Sequence, residues 1–196
     1  WQVSEVQLEE PFTSLGSKQR SERWLVVGSG RAGKVEGGGT ATPTPSNTAN
    51  PSKTGELGQE LIKEFEGCRL YSYQCPAMIW TIGFGHTGPD VVEGLHITQA
   101  VANQMLRDDL ERFERAVIAN IDVVLDQCEF DALVSFSYNC GAGALQESTL
   151  RKRLNRGENK PTVFAEELPR WTSGGMAGLV RRRAAEVRLA NQKQFP

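Results

Sequence analysis

The sequence contains no apolar run close to the about 18 to 20 residues that a bilayer-crossing helix needs, so no membrane span is predicted. Residues 1–20 carry three glutamates where a secretory signal would need an unbroken apolar stretch, which argues against a signal peptide. Because the chain begins at Trp1 without a methionine, we expect either a processed precursor or an internal start.

Metal-ligating and redox-active side chains are few. The cysteines and histidines are Cys68, Cys75, Cys128, Cys140, His86 and His96. No two cysteines form a CxxC pair, so a structural zinc site is not predicted. Four cysteines are also too few for a disulfide-framed secreted miniprotein, and 196 residues suffice for a hydrophobic core. These counts indicate folding in a reducing compartment.

Charge is nearly balanced over the whole chain but not along it. There are 22 basic and 24 acidic residues, yet residues 56–150 hold 15 acids and 5 bases, a net charge of −10. Residues 151–196 hold 4 acids and 11 bases, a net charge of +7. A duplex-binding domain would usually be basic across its binding face. The pattern therefore favours two unlike lobes and predicts no nucleic-acid partner.

The composition divides the chain into three regions. Residues 1–27 form an N-terminal segment with strand-like pieces, too short for a core of its own. Residues 28–55 are rich in Gly, Pro, Ser and Thr, which predicts a flexible linker, and residues 56–196 have a globular pattern. A GxGxxG motif at 28–33 is followed by a glycine run and a Pro-Thr tract, which leave no helix to hold a pyrophosphate. We interpret this motif as part of the linker.

Periodicity in the globular region predicts an α+β fold. Apolar residues at helical spacing predict a first helix that starts at Glu56 and ends at Gly67. Aromatic and β-branched runs at 69–74 and 79–84 predict a small antiparallel sheet, and Thr98 is placed to cap a long helix. Further helices are expected at 130–138, 149–155, 163–171 and 178–190, with breaks at the glycines of 141–143, 157 and 174–175. We expect a small sheet lobe and a larger helical lobe, joined by the long helix, with a groove between them.

Glu66 is the first candidate for a chemical role. It borders the apolar stripe of the first helix, one turn after Ile62, and lies in the last turn, where the helix dipole disfavours a negative charge. Both effects favour the protonated acid, which a proton donor near neutral pH requires. Such a residue, taken alone, is more often an ordinary surface carboxylate.

The spacing around Glu66 is more specific. Eight residues separate Glu66 from Cys75, and five separate Cys75 from Thr81. The motifs that follow are Trp-Thr-Ile-Gly-Phe-Gly-His at 80–86, Phe-Asp-Ala-Leu-Val-Ser-Phe at 130–136, Asn-Cys-Gly at 139–141, Ser-Thr-Leu at 148–150, Leu-Asn at 154–155 and Gly-Leu-Val-Arg-Arg-Arg at 178–183. In this order of motifs the chain resembles the phage-type lysozymes, the endolysins and tail lysozymes of glycoside hydrolase family 24. The resemblance covers roughly residues 56–192.

The resemblance implies a muramidase, which cleaves the β-1,4 bond between N-acetylmuramic acid and N-acetylglucosamine in peptidoglycan. It implies Glu66 as the general acid that protonates the departing glycosidic oxygen. In the family, the position of Cys75 orients or activates water or stabilises charge at the sugar, and Thr81 helps to place that water. The groove between the lobes is expected to hold the glycan strand, and neither a metal nor an organic cofactor is implied.

Cys75 departs from the aspartate form of the family. A free thiol has a pKa near about 8.5, so it is mostly protonated at neutral pH unless its surroundings lower the pKa. A thiolate can act as base or as nucleophile, and these alternatives give opposite anomeric outcomes. Cys75 can also be a small buried filler in a turn. A further hypothesis is that oxidation, or pairing with Cys68, silences the enzyme.

The same stretch of sequence supplies candidate sugar contacts. Tyr71, Tyr73, Trp80 and Phe84 are expected to stack on sugar rings, although aromatics at such spacing also pack between sheet and helix. The resemblance places His86 near the groove, among the substrate-binding candidates. For His86 we favour a structural role with a carboxylate or backbone partner over proton transfer.

Peptidoglycan is the expected partner, and two biological contexts fit it. The first is a free endolysin, made in the host cytoplasm and acting on the cell wall in the periplasm. The second is a virion-associated tail or baseplate lysozyme, in which residues 1–55 would contact other tail proteins. A non-catalytic glycan-binding module of the same fold is a third alternative. The arginines at 181–183 either contact anionic wall polymer and peptide-stem carboxylates or pair with the acidic half of the chain.

Overall fold

A computed structural model describes residues 50–192 of the chain. Its elements, in chain order, are α1 (Glu56–Glu66), β1 (Arg69–Gln74), β2 (Trp80–Gly83), β3 (His86–Thr87), α2 (Gln99–Asn120), α3 (Gln127–Cys140), α4 (Ala142–Glu147), α5 (Thr149–Asn155), α6 (Lys160–Glu167), a 3₁₀ turn (Leu168–Arg170) and α7 (Ala177–Ala190). The α+β class predicted from the sequence is confirmed. The strand-like pieces and the GxGxxG motif lie outside the described residues.

The three strands form an antiparallel sheet in the order β1-β2-β3. Tyr73 of β1 is paired with Thr81 of β2, and Thr81 is paired with Thr87 of β3. Directly paired residues of antiparallel strands direct their side chains to the same face of the sheet. The side chains of Thr81, on the middle strand, and Thr87, on the edge strand, therefore lie on the same face of the sheet.

The helix α2 joins the sheet to the helical lobe. The Thr98 hydroxyl accepts the N–H of Val101 at 3.3 Å and caps the first turn, as predicted. At 1.5 Å per residue, its 22 residues give a length of about 33 Å. Apolar residues at helical spacing form its buried face: Ala102, Leu106, Leu110, Phe113 and Val117.

The central helix of the larger lobe is α3. Every residue from 128 to 137 is buried, because α1, α2 and α7 all pack against this helix. Its first turn has a capping box, in which Asp126 accepts the N–H of Glu129 at 2.8 Å and Glu129 accepts the N–H of Asp126 at 2.9 Å. The sequence-based prediction of a buried helix here is confirmed.

Two features differ from the sequence-based expectations. Residues 50–55, assigned to the linker, lie against the helical lobe, where Thr54 N–H donates to the buried Glu114 at 2.8 Å. The structure also has a helix, α4, where the glycines at 141–143 predict a break. Gly141 does end α3, with a φ of 91°, whereas Gly143 lies inside α4.

Candidate active site

Glu66 is the last residue of α1. The amphipathic spacing of the helix buries Ile62 one turn earlier. Gly67 then turns the chain with a φ of 66°, which glycine adopts without the steric cost of a side chain. The side chain of Glu66 remains 24% exposed, so its carboxyl is accessible to solvent. The predicted position of Glu66 at the helix end is confirmed.

Glu66 borders two cavities. The smaller, of about 190 Å³, is lined by Glu66, Gly85, Thr87, Asp109, Arg112, Tyr138 and Asn139. The larger, of about 730 Å³, extends along the end of α1 and along α7 as far as Arg188, with Asn139 of α3 also in its lining. Because Gly85 and Thr87 belong to the sheet lobe and Asp109 to α2, the smaller cavity lies where the two lobes meet. The groove expected between the lobes therefore opens at the carboxyl of Glu66.

An arginine from the last helix faces Glu66. The Nη1 atom of Arg182 lies 2.5 Å from the Oε1 atom of Glu66, and the Arg182 side chain is only 4% exposed. The Nη2 atom of Arg182 donates to the carbonyl of Ser135 at 3.3 Å. Neither the helix dipole nor the apolar stripe of α1 indicates this partner of Glu66. The structure adds a buried cation that lies 116 residues away in sequence.

The three arginines at 181–183 differ in burial, because they lie on different sides of α7. Arg182 and Arg183 are buried, and Arg183 contacts the buried Glu186 at 2.8 Å. Arg181 is exposed and lines the larger cavity. Two arginines of the run therefore pair with carboxylates inside the domain. Within the run, Arg181 is the residue that faces solvent.

Cys75 and Thr81 lie together at the turn between β1 and β2. The N–H of Cys75 and the hydroxyl of Thr81 both donate to the carbonyl of Ile79, each at 3.0 Å. The backbone N–H groups of Ile79 and Ala77 lower the pKa of the Cys75 thiol, and the Thr81 hydroxyl acts in the same direction, against a smaller effect of burial. The thiol therefore ionises more readily than that of a free cysteine.

The sheet connects this thiol and hydroxyl to the acid. Thr81 is paired with Thr87, and Thr87 lines the smaller cavity together with Glu66. The residues that line the two cavities at Glu66 do not include Cys75 or Thr81. The structure thus brings Cys75 and Thr81 to each other, and it brings Glu66 to the neighbouring strand. Joint action of the three side chains on one substrate stays a prediction.

His86 has a carboxylate on each side of its ring. Its Nδ1 atom lies 2.9 Å from Asp109 of α2, and its Nε2 atom lies 3.1 Å from Asp90. Partial burial opposes protonation, but the two carboxylates outweigh it and raise the pKa of His86 above its usual value. Both ring nitrogens are engaged, so the geometry supports the structural role favoured from the sequence. No motif in the sequence points to Asp109, which also lines the smaller cavity.

The aromatic candidates have different surroundings. The ring of Tyr73 is covered on one side by the Arg69 guanidinium, 4.2 Å from the ring centroid, and Trp80 is half-buried. Tyr71 is 68% exposed and stacks on His96, with 4.2 Å between ring centroids. Phe84 is 5% exposed and belongs to the hydrophobic core, so its ring has no open face for a sugar. The structure gives Phe84 a packing role in place of the expected sugar contact.

The proposed pairing of Cys75 with Cys68 does not fit this sheet. The two residues stand at opposite ends of β1, and seven residues of extended chain span about 20 Å. A disulfide needs Cα atoms within about 7 Å of each other. Both thiols are free, and bridging them would require β1 to unfold.

The described residues offer no ready metal site. Between residues 50 and 192, no three histidine, cysteine, aspartate or glutamate side chains are grouped so that they could hold an ion. None of the helices in this range combines the length and the apolar character that crossing a bilayer needs.

Known proteins match the part of the chain that contains these residues. The phage lysozyme family model matches residues 63–186. The chain is 45% identical to the endolysin of Bacillus phage PZA over 141 residues, which are 69% of this chain and 54% of that endolysin. It is 38% identical to the endolysin of Acyrthosiphon pisum secondary endosymbiont phage 1, over 68% of this chain and 94% of that protein. The chain thus spans about half the length of the Bacillus phage endolysins that it matches.

Solved structures share the fold. The endolysin from Escherichia coli O157:H7 phage FAHEc1 superimposes with a TM-score of 0.66 at 38% identity, covering 74% of this chain and 96% of that one. The muramidase domain of SpmX from Asticaccaulis excentricus gives a TM-score of 0.67 at 38% identity, covering 72% and 99%. With the spacing of Glu66, Cys75 and Thr81 and the two-lobed fold, these matches establish that the chain belongs to the phage lysozyme family.

Proposed function

We propose that this chain is a muramidase that hydrolyses the β-1,4 bond between N-acetylmuramic acid and N-acetylglucosamine in peptidoglycan. The observation that carries the proposal is the accessible carboxyl of Glu66 where the two lobes meet, with Gly85 and Thr87 on one side and Asp109 on the other. A glycan strand in this opening would bring a glycosidic oxygen to the acid. Relatives named as endolysins and as a muramidase domain support this substrate class.

Glu66 is the proposed general acid. Its proton passes to the glycosidic oxygen as the bond between that oxygen and the anomeric carbon of N-acetylmuramic acid breaks. The carboxylate that remains is then stabilised by the guanidinium of Arg182, which donates a charge-assisted hydrogen bond to it. Because Arg182 is itself buried, its guanidinium also restricts the orientation of the Glu66 carboxyl.

Cys75 and Thr81 are the proposed residues that handle water. The lowered pKa of Cys75 increases its thiolate fraction at neutral pH. As a base, the thiolate takes a proton from water while the water oxygen bonds to the anomeric carbon, and the configuration inverts. As a nucleophile, the sulfur bonds to that carbon first and water displaces it later, so the configuration is retained. In either route the Thr81 hydroxyl, next to the sulfur, is placed to orient the water.

The remaining contacts and the biological context belong to the same proposal. Tyr73 and the half-buried Trp80 are the proposed sugar contacts on the sheet lobe, and His86 acts through the ion pair that holds β3 to α2. We favour an endolysin made in the host cytoplasm that acts on the bacterial cell wall, because the relatives carry that name. A tail or baseplate lysozyme that uses residues 1–55 is the alternative. Immunodetection of the chain in purified virions would favour the alternative.

Glu66→Gln tests the proposed acid. The amide has the same shape but no proton to donate, so hydrolysis of dye-labelled peptidoglycan should fall by about 10² to 10⁴. Glu60→Gln is the matched control, because Glu60 is an exposed glutamate of the same helix and should behave as wild type. Binding to sacculi should survive in both variants. Clearing by Glu66→Gln at the wild-type rate would reject Glu66 as the acid, whereas a wild type that binds sacculi without clearing them would favour a non-catalytic glycan-binding module.

A further inference from the structure

A cluster of buried charged side chains surrounds Arg182. Glu186 of α7 is fully buried, and its Oε1 atom accepts the Ser135 hydroxyl and the Arg183 Nη2, each at 2.8 Å. The same oxygen lies 3.4 Å from the Nε atom of Arg182. Among the described residues, the Oε2 atom of Glu186 and the Nε atoms of both arginines have no hydrogen-bond partner.

Burying these charged groups costs desolvation free energy, which apolar side chains in the same space would not cost. A buried carboxylate with an unsatisfied oxygen loses its hydration, and apolar residues of similar volume are often at least as stabilising as a buried ion pair. Stability alone therefore does not account for a glutamate at position 186. The feature that sets this carboxylate apart is its contact with the arginine that holds Glu66.

Arg182 is shared between two carboxylates. Its Nη1 atom contacts Glu66, and its Nε edge faces Glu186. Nη2 donates to the Ser135 carbonyl at 3.3 Å, so Nη1 and Nη2 are hydrogen-bonded, whereas Nε faces the Glu186 carboxylate at ion-pair distance without a hydrogen bond. Movement of the guanidinium toward either carboxylate would weaken its contact with the other.

We propose that Glu186 is a positioning residue for Glu66, acting through Arg182: it holds the guanidinium in place and takes up part of its positive charge. The inference rests on the proposed role of Glu66 as general acid. Without the charge of Glu186, the positive charge of Arg182 would act on Glu66 alone. The ionised form of Glu66 would then be favoured, and less enzyme would carry the catalytic proton at a given pH.

Other groups near the two carboxylates stay unchanged in the test. The charged or titratable groups that face Glu66 are Arg182, Arg181 and Arg188 from α7, Asp109 and Arg112 from α2, Tyr138 from α3 and Glu64 from its own helix. Those that contact Glu186 are Arg182, Arg183 and Ser135. Burial raises the pKa of Glu186, and Arg183, Arg182 and Ser135 act against that rise. Glu186 is not among the residues that line the two cavities, so a substitution at position 186 changes none of the lining residues.

The experiment measures kcat and KM on dye-labelled peptidoglycan as functions of pH for wild type and Glu186→Gln. The expected result is a kcat several-fold lower with an almost unchanged KM. In the plot of kcat against pH, the alkaline limb, where kcat falls as the pH rises, should shift to lower pH by at least about half a unit. Leu189→Ala, also on α7 and buried, is the control for destabilisation without a change of charge. It should lower the melting temperature and leave the limb in place. An unshifted limb in Glu186→Gln, or an equal shift in Leu189→Ala, would overturn the proposal.

Two further measurements keep the test decisive. In an Arg182→Gln background, adding Glu186→Gln should shift the limb no further, and an additional shift would show that Glu186 does not act through Arg182. If Glu186→Gln does not fold, ¹³C-carboxyl NMR of the wild type decides: Glu186 should carry a negative charge at the pH of full activity. A neutral Glu186 at the pH of full activity would contradict the proposal. Full activity of Glu66→Gln would instead remove the proposed role of Glu66 as general acid, on which this inference rests.

Discussion

The ion pair between His86 and Asp109 joins the sheet lobe to α2, and its contribution to stability can be measured. The side chains of His86 and Asp109 are 18% and 22% exposed, so solvent screens the pair only in part. Asp109→Asn keeps the size of the side chain and removes its charge. We predict that it lowers the free energy of unfolding by about 1.5 to 3 kcal/mol where His86 is protonated, the usual range for a hydrogen bond to a charged group.

The pH dependence of this loss has a defined sign. Burial lowers the pKa of His86, but Asp109 and Asp90 outweigh it and the pKa is raised on folding. Such a group contributes stability that is complete below the unfolded pKa of about 6.5 and is lost as the pH rises through the folded value. The cost of Asp109→Asn should therefore be large near about pH 5.5 and small near about pH 9.

Urea unfolding followed by tryptophan fluorescence at these two pH values measures the effect. Asp108→Asn is the matched control, because Asp108 is the preceding residue of α2, is exposed and accepts a hydrogen bond from Gln104 at 2.7 Å. The control should change stability by less than about 0.5 kcal/mol at either pH. An equal loss for Asp109→Asn at both pH values would refute the reasoning, since an ion pair with a titrating histidine cannot be independent of pH.

Three further perturbations follow from packing and from the thiols. Gly58→Ala should cost about 1 to 3 kcal/mol in thermal unfolding, because its methyl group would lie 2.7 Å from the Cβ of Asp131, whereas Gly143→Ala in α4 meets nothing within 4 Å and should not destabilise. Equal melting temperatures for the two variants would contradict this. Phe130→Ala should cost about 3 to 5 kcal/mol in urea, since Phe130 is fully buried in α3; a loss below about 1 kcal/mol would mean that the core is less tightly packed than described. Iodoacetamide should alkylate Cys75 appreciably below the pKa of about 8.5 of a free thiol, as peptide mass spectrometry can show, and labelling that begins only above that pH would argue against its lowered pKa.

The elements that depend on local sequence could be predicted, and those that depend on distant side chains could not. The C-terminal end of α1 and the start of α2 follow from Gly67 and Thr98, whose effects act within one turn. The strands β1 and β2 follow from aromatic and β-branched runs, whereas the two-residue strand β3 is too short for such a pattern. The helix α4 was missed because Gly143 is tolerated inside a helix at a cost of about 1 kcal/mol, which the packing of Leu145 in the core offsets.

The candidate site divides in the same way. The sequence predicts Glu66, Cys75 and Thr81 as candidates because the three residues lie on one short stretch, which forms a helix end and a hairpin. The contact between Arg182 and Glu66 could not be predicted from the sequence, because it joins residues 116 positions apart and forms only when α7 packs against α1 and α3. The role of Phe84 could not be predicted from its residue type. A phenylalanine ring can stack on a sugar or pack in a hydrophobic core, and only its burial in the folded structure distinguishes the two roles.

The identity of the bond that is cleaved tests the central claim most directly. Peptidoglycan digested by the protein, reduced with borohydride and analysed by mass spectrometry should yield fragments that end in reduced N-acetylmuramic acid, and Glu66→Gln should release them about 10² to 10⁴ times more slowly. Fragments that end in reduced N-acetylglucosamine, or cleavage confined to the peptide stems, would contradict the assignment of muramidase activity to this site.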